Sequence, residues 1–461
     1  MNTLQILKYR INIFYLLLFF SFSFSVLNSI YQINNFDNYK KTKILPEYHS
    51  MINGDIEYFF KEGNEIAKKI RDGENYFETG DEYRRPYLPS RLFAFFSLII
   101  NKELYDENNQ INKDVNKIYF LIFQSIIYYL FLYFLYKKIL IYLPKLNSQI
   151  AILFLALEPT LFMYHSSFWS ESIFFSMQIF FIIYFFKEKF NTKDLLIVGL
   201  LLGILYLQRS VAIFYIIPIL ILLYFKNRKK IFKSIIFVSL GYILIHLIVG
   251  FHNYKRLGIF YSTSTQANDG FYIYLAPNIL ANKLKISSSD AFKILHEKKH
   301  YWAKKNNLNL EKEKDRLKFY NYQKKEAYKI ILQNPLASTE VILKKTGHFF
   351  TIDPLTHVYY FHRWNSDEEL FYKSNAHKKW IVPRIIYSII IYFVCLYGVI
   401  SLFNNKSNRI FFSFLILSIF YFILVQSWYG GTRYFAPLLI YLSFFFSSGL
   451  IDLKNKLFKN N

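Results

Sequence analysis

Long apolar runs alternate along this chain with short polar breaks, and the run length carries the first structural expectation. A helix that crosses a bilayer needs about 20 mostly apolar residues. Runs that meet or approach this lie near residues 11–31, 117–136, 149–165, 170–186, 194–208, 210–225, 233–251, 380–403, 409–427 and 434–451. The pattern predicts an all-α polytopic membrane protein with about ten transmembrane helices. The first run is long and lacks small cleavage residues of the Ala-x-Ala kind, so it is expected to be a retained anchor rather than a signal peptide.

Two long stretches, 32–116 and 252–378, are too polar to span. In the first, Ile56, Phe59, Phe60, Ile66, Ala67 and Ile70 recur three and four apart, the period of an amphipathic helix lying in the membrane interface. Residues 91–100 are apolar but too short to cross, which suits an interfacial or re-entrant helix. The second stretch is rich in Lys, Glu, Asn and Tyr, with helical patterns near 289–305 and 311–333, a break at Pro335 and a half-apolar stretch over 338–351. The expected organisation is an N-terminal membrane module over 1–251 that includes the loop 32–116, a small helical outer segment over 252–378, and a C-terminal membrane module over 379–461. No internal repeat supports an inverted-repeat transporter.

Composition agrees: 53% of the 461 residues are hydrophobic and 21% aromatic, with a mean hydropathy of +0.17. The single cysteine, Cys395, excludes an intramolecular disulfide and a cysteine-based metal cluster. A net charge of +24 would suit nucleic acid, but no basic recognition helix accompanies it, and a membrane protein uses Lys and Arg for orientation. With the N-terminus inside, the segments 1–10, 137–148, 187–194, 226–233, 404–409 and the tail after 451 hold 18 Lys and Arg, against Arg209 and Arg433 in the short outer turns. Both termini are thereby expected in the cytoplasm and both long polar stretches outside.

Ionisable groups near membrane depth are costly and tend to be functional or paired. Asp55 stands just before the amphipathic helix, where a carboxylate caps the helix start and is also placed to take a proton from a hydroxyl. Glu171 follows HSSFWS beside His165, Ser166 and Ser170, and reads equally as a helix-capping residue or as part of a site. Glu158, before Pro159, sits deeper and needs a partner or a neutral form. Arg209 and Arg433, the latter beside Tyr434 in WYGGTRYFAP, present guanidinium groups at one membrane face. Such groups bind phosphate bidentately, with simple snorkelling the plainer reading for Arg209. His348, His357 and His362 near Asp353 and Asp367 match no metal-ligand spacing. P-loop, GxGxxG, HExxH and GxSxG motifs are absent, which removes support for ATP hydrolysis, dinucleotide chemistry and hydrolase triads.

The order of these features, an acid ahead of a first-loop helix, a closing RRPYLP turn at 84–89, a Ser-Glu after the third span and a final Arg-Tyr-x-x-Pro, resembles the GT-C superfamily of integral-membrane glycosyltransferases. The bacterial relatives of protein O-mannosyltransferases and of the lipid A aminoarabinose transferase look most similar. The first-loop pattern, acid-x-x-x-Tyr then Gly then a Pro-rich turn, is matched in order by Asp55, Tyr58, Gly73 and the RRPYLP turn, except that the spacing from Asp55 to Tyr58 is one shorter. The resemblance implies transfer of a sugar from a polyprenyl-phosphate carrier to an envelope lipid, glycan or protein at the outer face of the plasma membrane, by inverting displacement. It makes Asp55 the general base, with Tyr58, Arg85, Glu171, Arg209, Arg433 and Tyr434 as groups that hold substrate or carrier phosphate. The family often pairs two acids at this site, whereas here residue 54 is Gly54 and the next acid is Glu57, so Asp81 and Glu82 stand as substitutes. No cofactor motif is present, a divalent cation stays open, and no nucleic-acid partner is expected. The rival readings are a flippase or exporter of polyprenyl-linked glycans, which calls for charge along a mid-membrane path, and a polymerase acting on two lipid-linked glycans.

Overall fold

The computed structural model describes residues 3–6, 9–34, 55–74, 86–100, 115–166, 170–187, 190–226, 228–262, 270–310, 312–350, 375–404, 409–428 and 432–458. Two short strands, β1 (Thr3–Ile6) and β2 (Tyr9–Asn12), pair ahead of the helical body. Helices then follow: α1 (Ile13–Asn34), α2 (Asp55–Arg71), α3 (Leu88–Ile100), α4 (Val115–Ile139), α5 (Lys145–Leu157), α6 (Pro159–His165), α7 (Ser170–Phe185), α8 (Thr192–Gln208), α9 (Ile216–Lys226) and α10 (Ile231–Leu257). After a π-helical turn over Phe271–Leu275 come α11 (Ala276–Leu284), α12 (Ser288–Lys305), α13 (Glu313–Gln333), α14 (Pro335–Phe350), α15 (Asn375–Asn404), α16 (Arg409–Gln426) and α17 (Thr432–Phe458). The protein is an all-α polytopic membrane protein.

The ten expected runs fall on helices, and not all of those helices have the length of a full crossing. Six helical stretches among the described residues are long and apolar enough to cross, Ile13–Tyr31, Ile118–Ile139, Arg228–Lys255, Ile385–Asn404, Arg409–Gln426 and Phe435–Phe458, or up to seven if the α5–α6 pair counts as one. That pair bends by 59°. Pro159 cannot donate to the helix and clashes with the preceding turn, so the chain breaks at Glu158. The Glu158 carboxylate re-caps the new start by accepting from the Leu161 N–H at 2.8 Å. It also accepts from the Tyr387 hydroxyl at 3.1 Å, which supplies the partner a buried carboxylate needs. The other three shortfalls are of length: α7 has 16 residues, α8 has 17 and α9 has 11, against about 20 for a full crossing.

Lipid-facing and protein-facing sides are plain in the exposure pattern. Phe24, Phe232, Ile248 and Leu396 are more than half exposed, which an apolar solvent accepts without cost. Because lipid gives helices no hydrophobic reason to associate, small residues and hydrogen bonds do that work. At Gly199 against Val238 and Gly241 against Leu196, the α8 and α10 backbones touch, so that an added Cβ would overlap a carbonyl oxygen. Gly398 and Gly449 bring α15 onto α17 in the same manner. Between parts of the chain far apart in sequence, the Tyr215 hydroxyl lies 2.7 Å from Ser418 Oγ and 2.8 Å from the Tyr441 hydroxyl, and the Tyr421 hydroxyl donates to the Val211 carbonyl at 2.6 Å. These contacts tie α9 and the turn before it to α16 and α17.

Between α10 and α15, α11 to α13 and the π-helical turn share a small core of Tyr272, Ala276, Leu295 and Ala327, while Phe349 of α14 packs on Phe435 of α17. The sequence patterns near 289–305 and 311–333 appear as α12 and α13, and Pro335 opens α14.

Candidate active site at one end of the bundle

Parallel packing of α8 and α10 puts Arg209, just past α8, at the same end as His252 near the end of α10. The first loop arrives at that end as well. Tyr87, directly after Pro86, packs edge-on against His252 with ring centroids 5.5 Å apart, its hydroxyl 3.4 Å from Nδ1. Trp428, five positions before Arg433, stacks on Phe271, which follows α10, at 4.3 Å and 8°. Arg209, His252 and Tyr87 thus share one end of the bundle.

Glu171 and Arg209 meet directly. Glu171 lies in the first turn of α7, fully buried, and its Oε1 is 3.2 Å from Arg209 Nη2. Ser170 Oγ donates to Glu171 Oε2 at 2.9 Å, and Gln208 Nε2 donates to the Ser170 carbonyl at 2.8 Å. Arg209 is 7% exposed and lies 5.7 Å from the centroid of the Phe174 ring. Snorkelling is therefore corrected for Arg209: the side chain is folded into an ion pair rather than extended to headgroups, because a buried acid sits within reach. Among the described residues its Nη1 has no hydrogen-bond partner.

Beside this pair runs a second polar layer, which the sequence reading touched only at His165 and Ser166. His165 is fully buried, stacked on Tyr128 at 4.3 Å, with Ser25 Oγ 3.2 Å from its Nδ1. Asn28 Nδ2 donates to Ser166 Oγ at 2.7 Å, and Gln124 Nε2 donates to the His165 carbonyl at 2.8 Å. Small hydroxyl and amide side chains of α1 and α4 thus satisfy the end of α6.

Asp55 opens α2, and residues 433 and 434 lie in the first turn of α17; their side chains, with that of Tyr58, are outside the described residues. Arg85, Asp81, Glu82, Gly430, Gly431, His357, His362, Asp353 and Asp367 also lie outside what is described, as does the side chain of His348 in α14. Among the described residues no group of three or more His, Cys, Asp or Glu is arranged to hold a metal. Much of the apolar face of α2 packs on α3: Phe60 meets Phe93 at 4.5 Å, and Ile66 and Ala67 cluster with Ala94, while Ile70 stays exposed. The short apolar run after the first loop supplies that partner.

One acid passed over in the sequence is Glu62, buried in α2 and accepting a hydrogen bond from Ser90 Oγ of α3. Its available signal is the spacing of seven from Asp55, two helical turns on the same side.

Residues 110–252 match the dolichyl-phosphate-mannose-protein mannosyltransferase family. No curated protein matches. Among solved structures, the chain is similar to the Archaeoglobus fulgidus oligosaccharyltransferase tethered through a disulfide to an acceptor peptide containing the NVT sequon, at 14% identity and a TM-score of 0.46, over 95% of this chain and 50% of that one. The chain thus spans about half the length of that structure. It is the family match across α4 to α10, in an all-helical membrane protein, that supports reading this chain as a membrane glycosyltransferase of the GT-C superfamily.

Proposed function

We propose that this protein transfers a sugar from a polyprenyl-phosphate carrier to an envelope lipid, glycan or protein at the outer face of the plasma membrane, with both termini in the cytoplasm. The observation that carries the reading is the buried Glu171–Arg209 pair at the end of the bundle where the first loop also packs. A pair of that kind holds a guanidinium in a fixed place inside a low-dielectric site, where its attraction for a phosphate is strong. Arg209 keeps Nη2 on Glu171 and directs Nη1 to a carrier oxygen, with Arg85, Arg433 and Tyr434 as further phosphate contacts.

The reaction is an inverting displacement. The acceptor oxygen attacks the anomeric carbon as the bond from that carbon to the phosphate oxygen breaks, and its proton passes to the Asp55 carboxylate. Polyprenyl phosphate leaves carrying the bonding electron pair, its charge met by the arginines. Tyr58 and Glu171 line the substrate side. The three expected modules, 1–251, 252–378 and 379–461, then serve as reaction body, outer cover and closing helices. Mass spectrometry of envelope lipids, glycans and proteins from cells with and without the protein tests this: one sugar modification is expected to vanish with the protein, and an unchanged sugar profile would sink the reading.

A further inference from the structure

α2 and α3 run parallel and are pinned at two levels. Near the start of α3, Ser90 Oγ donates to Glu62 Oε2, and one residue on, Gly63 lets the helices close: a Cβ there would lie 2.7 Å from the Ser90 carbonyl oxygen and 2.8 Å from Phe93 Cδ1. Further along, Arg71 Nη2 donates to the Ser97 carbonyl at 2.7 Å. α3 is in turn fixed to the bundle, Phe93 against Phe120 at 5.1 Å and Phe96 against Phe123 at 5.3 Å.

Glu62 is an acid on a buried, largely apolar helix face. Its neighbours on the covered face of α2 are Phe59, Phe60, Ile66 and Ala67, and burying a carboxylate among them costs free energy that an apolar side chain would not. What the carboxylate provides is a directional bond. Position 55 falls within about 20° of position 62 around the helix and about 10 Å along it. A fixed Glu62 therefore fixes the azimuth of the helix start.

We propose that Glu62 is a positioning residue of the transfer site, its bond to Ser90 setting the rotation of α2 so that Asp55 faces the acceptor. The role rests on the glycosyl-transfer reading above. Loss of the bond leaves the helix paired through Arg71 and the apolar face but free to rock about its axis. A misplacement of about 1 Å costs up to roughly a hundredfold in rate.

Two arms test this on the full chain in nanodiscs. In the first, spin labels at Lys61→Cys and Phe95→Cys, both exposed, report the α2–α3 distance by pulsed electron resonance, the buried Cys395 being left in place. Glu62→Ala and Ser90→Ala are expected to broaden the distribution, whereas Glu62→Gln, which still accepts the hydroxyl proton, leaves it narrow. In the second arm, release of undecaprenyl phosphate from a panel of undecaprenyl-phosphate sugars gives kcat and KM. Glu62→Ala is expected to lower kcat roughly tenfold with donor KM within about twofold, and Glu62→Gln to stay within about threefold of wild type on kcat. Unbroadened distances in Glu62→Ala, or wild-type kcat in an active preparation of it, would overturn the positioning role alone. Glu62→Gln as inactive as Asp55→Asn would overturn it in favour of direct chemistry. A wild type that releases nothing from any donor removes the transfer reading, and the role with it.

Discussion

Helices α7 and α8 are joined by an ion pair at each end, and the two pairs differ in an instructive way. At one end Lys187 Nζ lies 2.7 Å from Asp194 Oδ1, with the lysine side chain half exposed. At the other, Arg209 Nη2 lies 3.2 Å from Glu171 Oε1, with the two side chains 8% and 0% exposed. The shorter contact is the weaker one. Asp194 is already spoken for by a capping box, exchanging hydrogen bonds with Asn191 at 2.8 and 2.9 Å, and solvent screens its lysine. Glu171 and Arg209 have left water altogether, so each is the condition for burying the other. Burial, not distance, decides how strongly each pair depends on its partner.

Removing one partner at each end breaks or sharpens that contrast most strongly. Glu171→Ala leaves Arg209 buried without its counter-charge and is expected to cost about 3–5 kcal/mol of stability, read as a lowered unfolding midpoint in detergent. Lys187→Ala is expected to cost about 1 kcal/mol or less. Equal losses would erase the distinction. A Glu171→Leu, Arg209→Met double variant is expected to recover much of the stability while losing transfer, since an apolar pair of similar volume packs without the desolvation cost.

The next effect in size concerns how the helices approach. Gly398→Leu places a side chain on the Phe445 backbone and is expected to destabilise by about 1–3 kcal/mol or more. Gly347→Ala in α14, where a Cβ meets nothing within 4 Å, is expected to be neutral or to stabilise by up to about 1 kcal/mol. Thermal midpoints of the two variants decide it.

The smallest effect lies in α12. Partial burial, with Lys299 and His300 nearby, holds the His296 imidazole below its usual range. As pH falls through the ordinary imidazole value, near 6.5, the unfolded chain takes up a proton before the folded one does, so a little stability is lost on acidification. The NMR titration midpoint of His296 is expected below that value. A midpoint at or above it contradicts the effect.

Much of the fold was legible because apolar runs report helices directly. The positions of all ten were readable, and so were α12 and α13. What the runs did not report was where they end as crossings. The break at Glu158–Pro159 lies inside one unbroken apolar run, and the bend follows from the proline's missing donor and the carboxylate's cap rather than from hydropathy. At the site, Glu171 and Arg209 were each visible, but their pairing joins positions 38 apart in sequence that only helix packing brings together. Glu62 was hidden among the acids at 55, 57, 62 and 65. The burial of its face by α3 singles it out.

The central claim is most directly tested by reconstituting the protein in liposomes with an undecaprenyl-phosphate sugar and an envelope extract, and comparing wild type with Asp55→Asn. The account predicts that wild type releases undecaprenyl phosphate and labels an acceptor with the sugar, while the folded Asp55→Asn variant falls by at least roughly a hundredfold. Undiminished transfer by that variant would contradict the assignment of Asp55 as the base, and no transfer by the wild type would contradict the proposed donor.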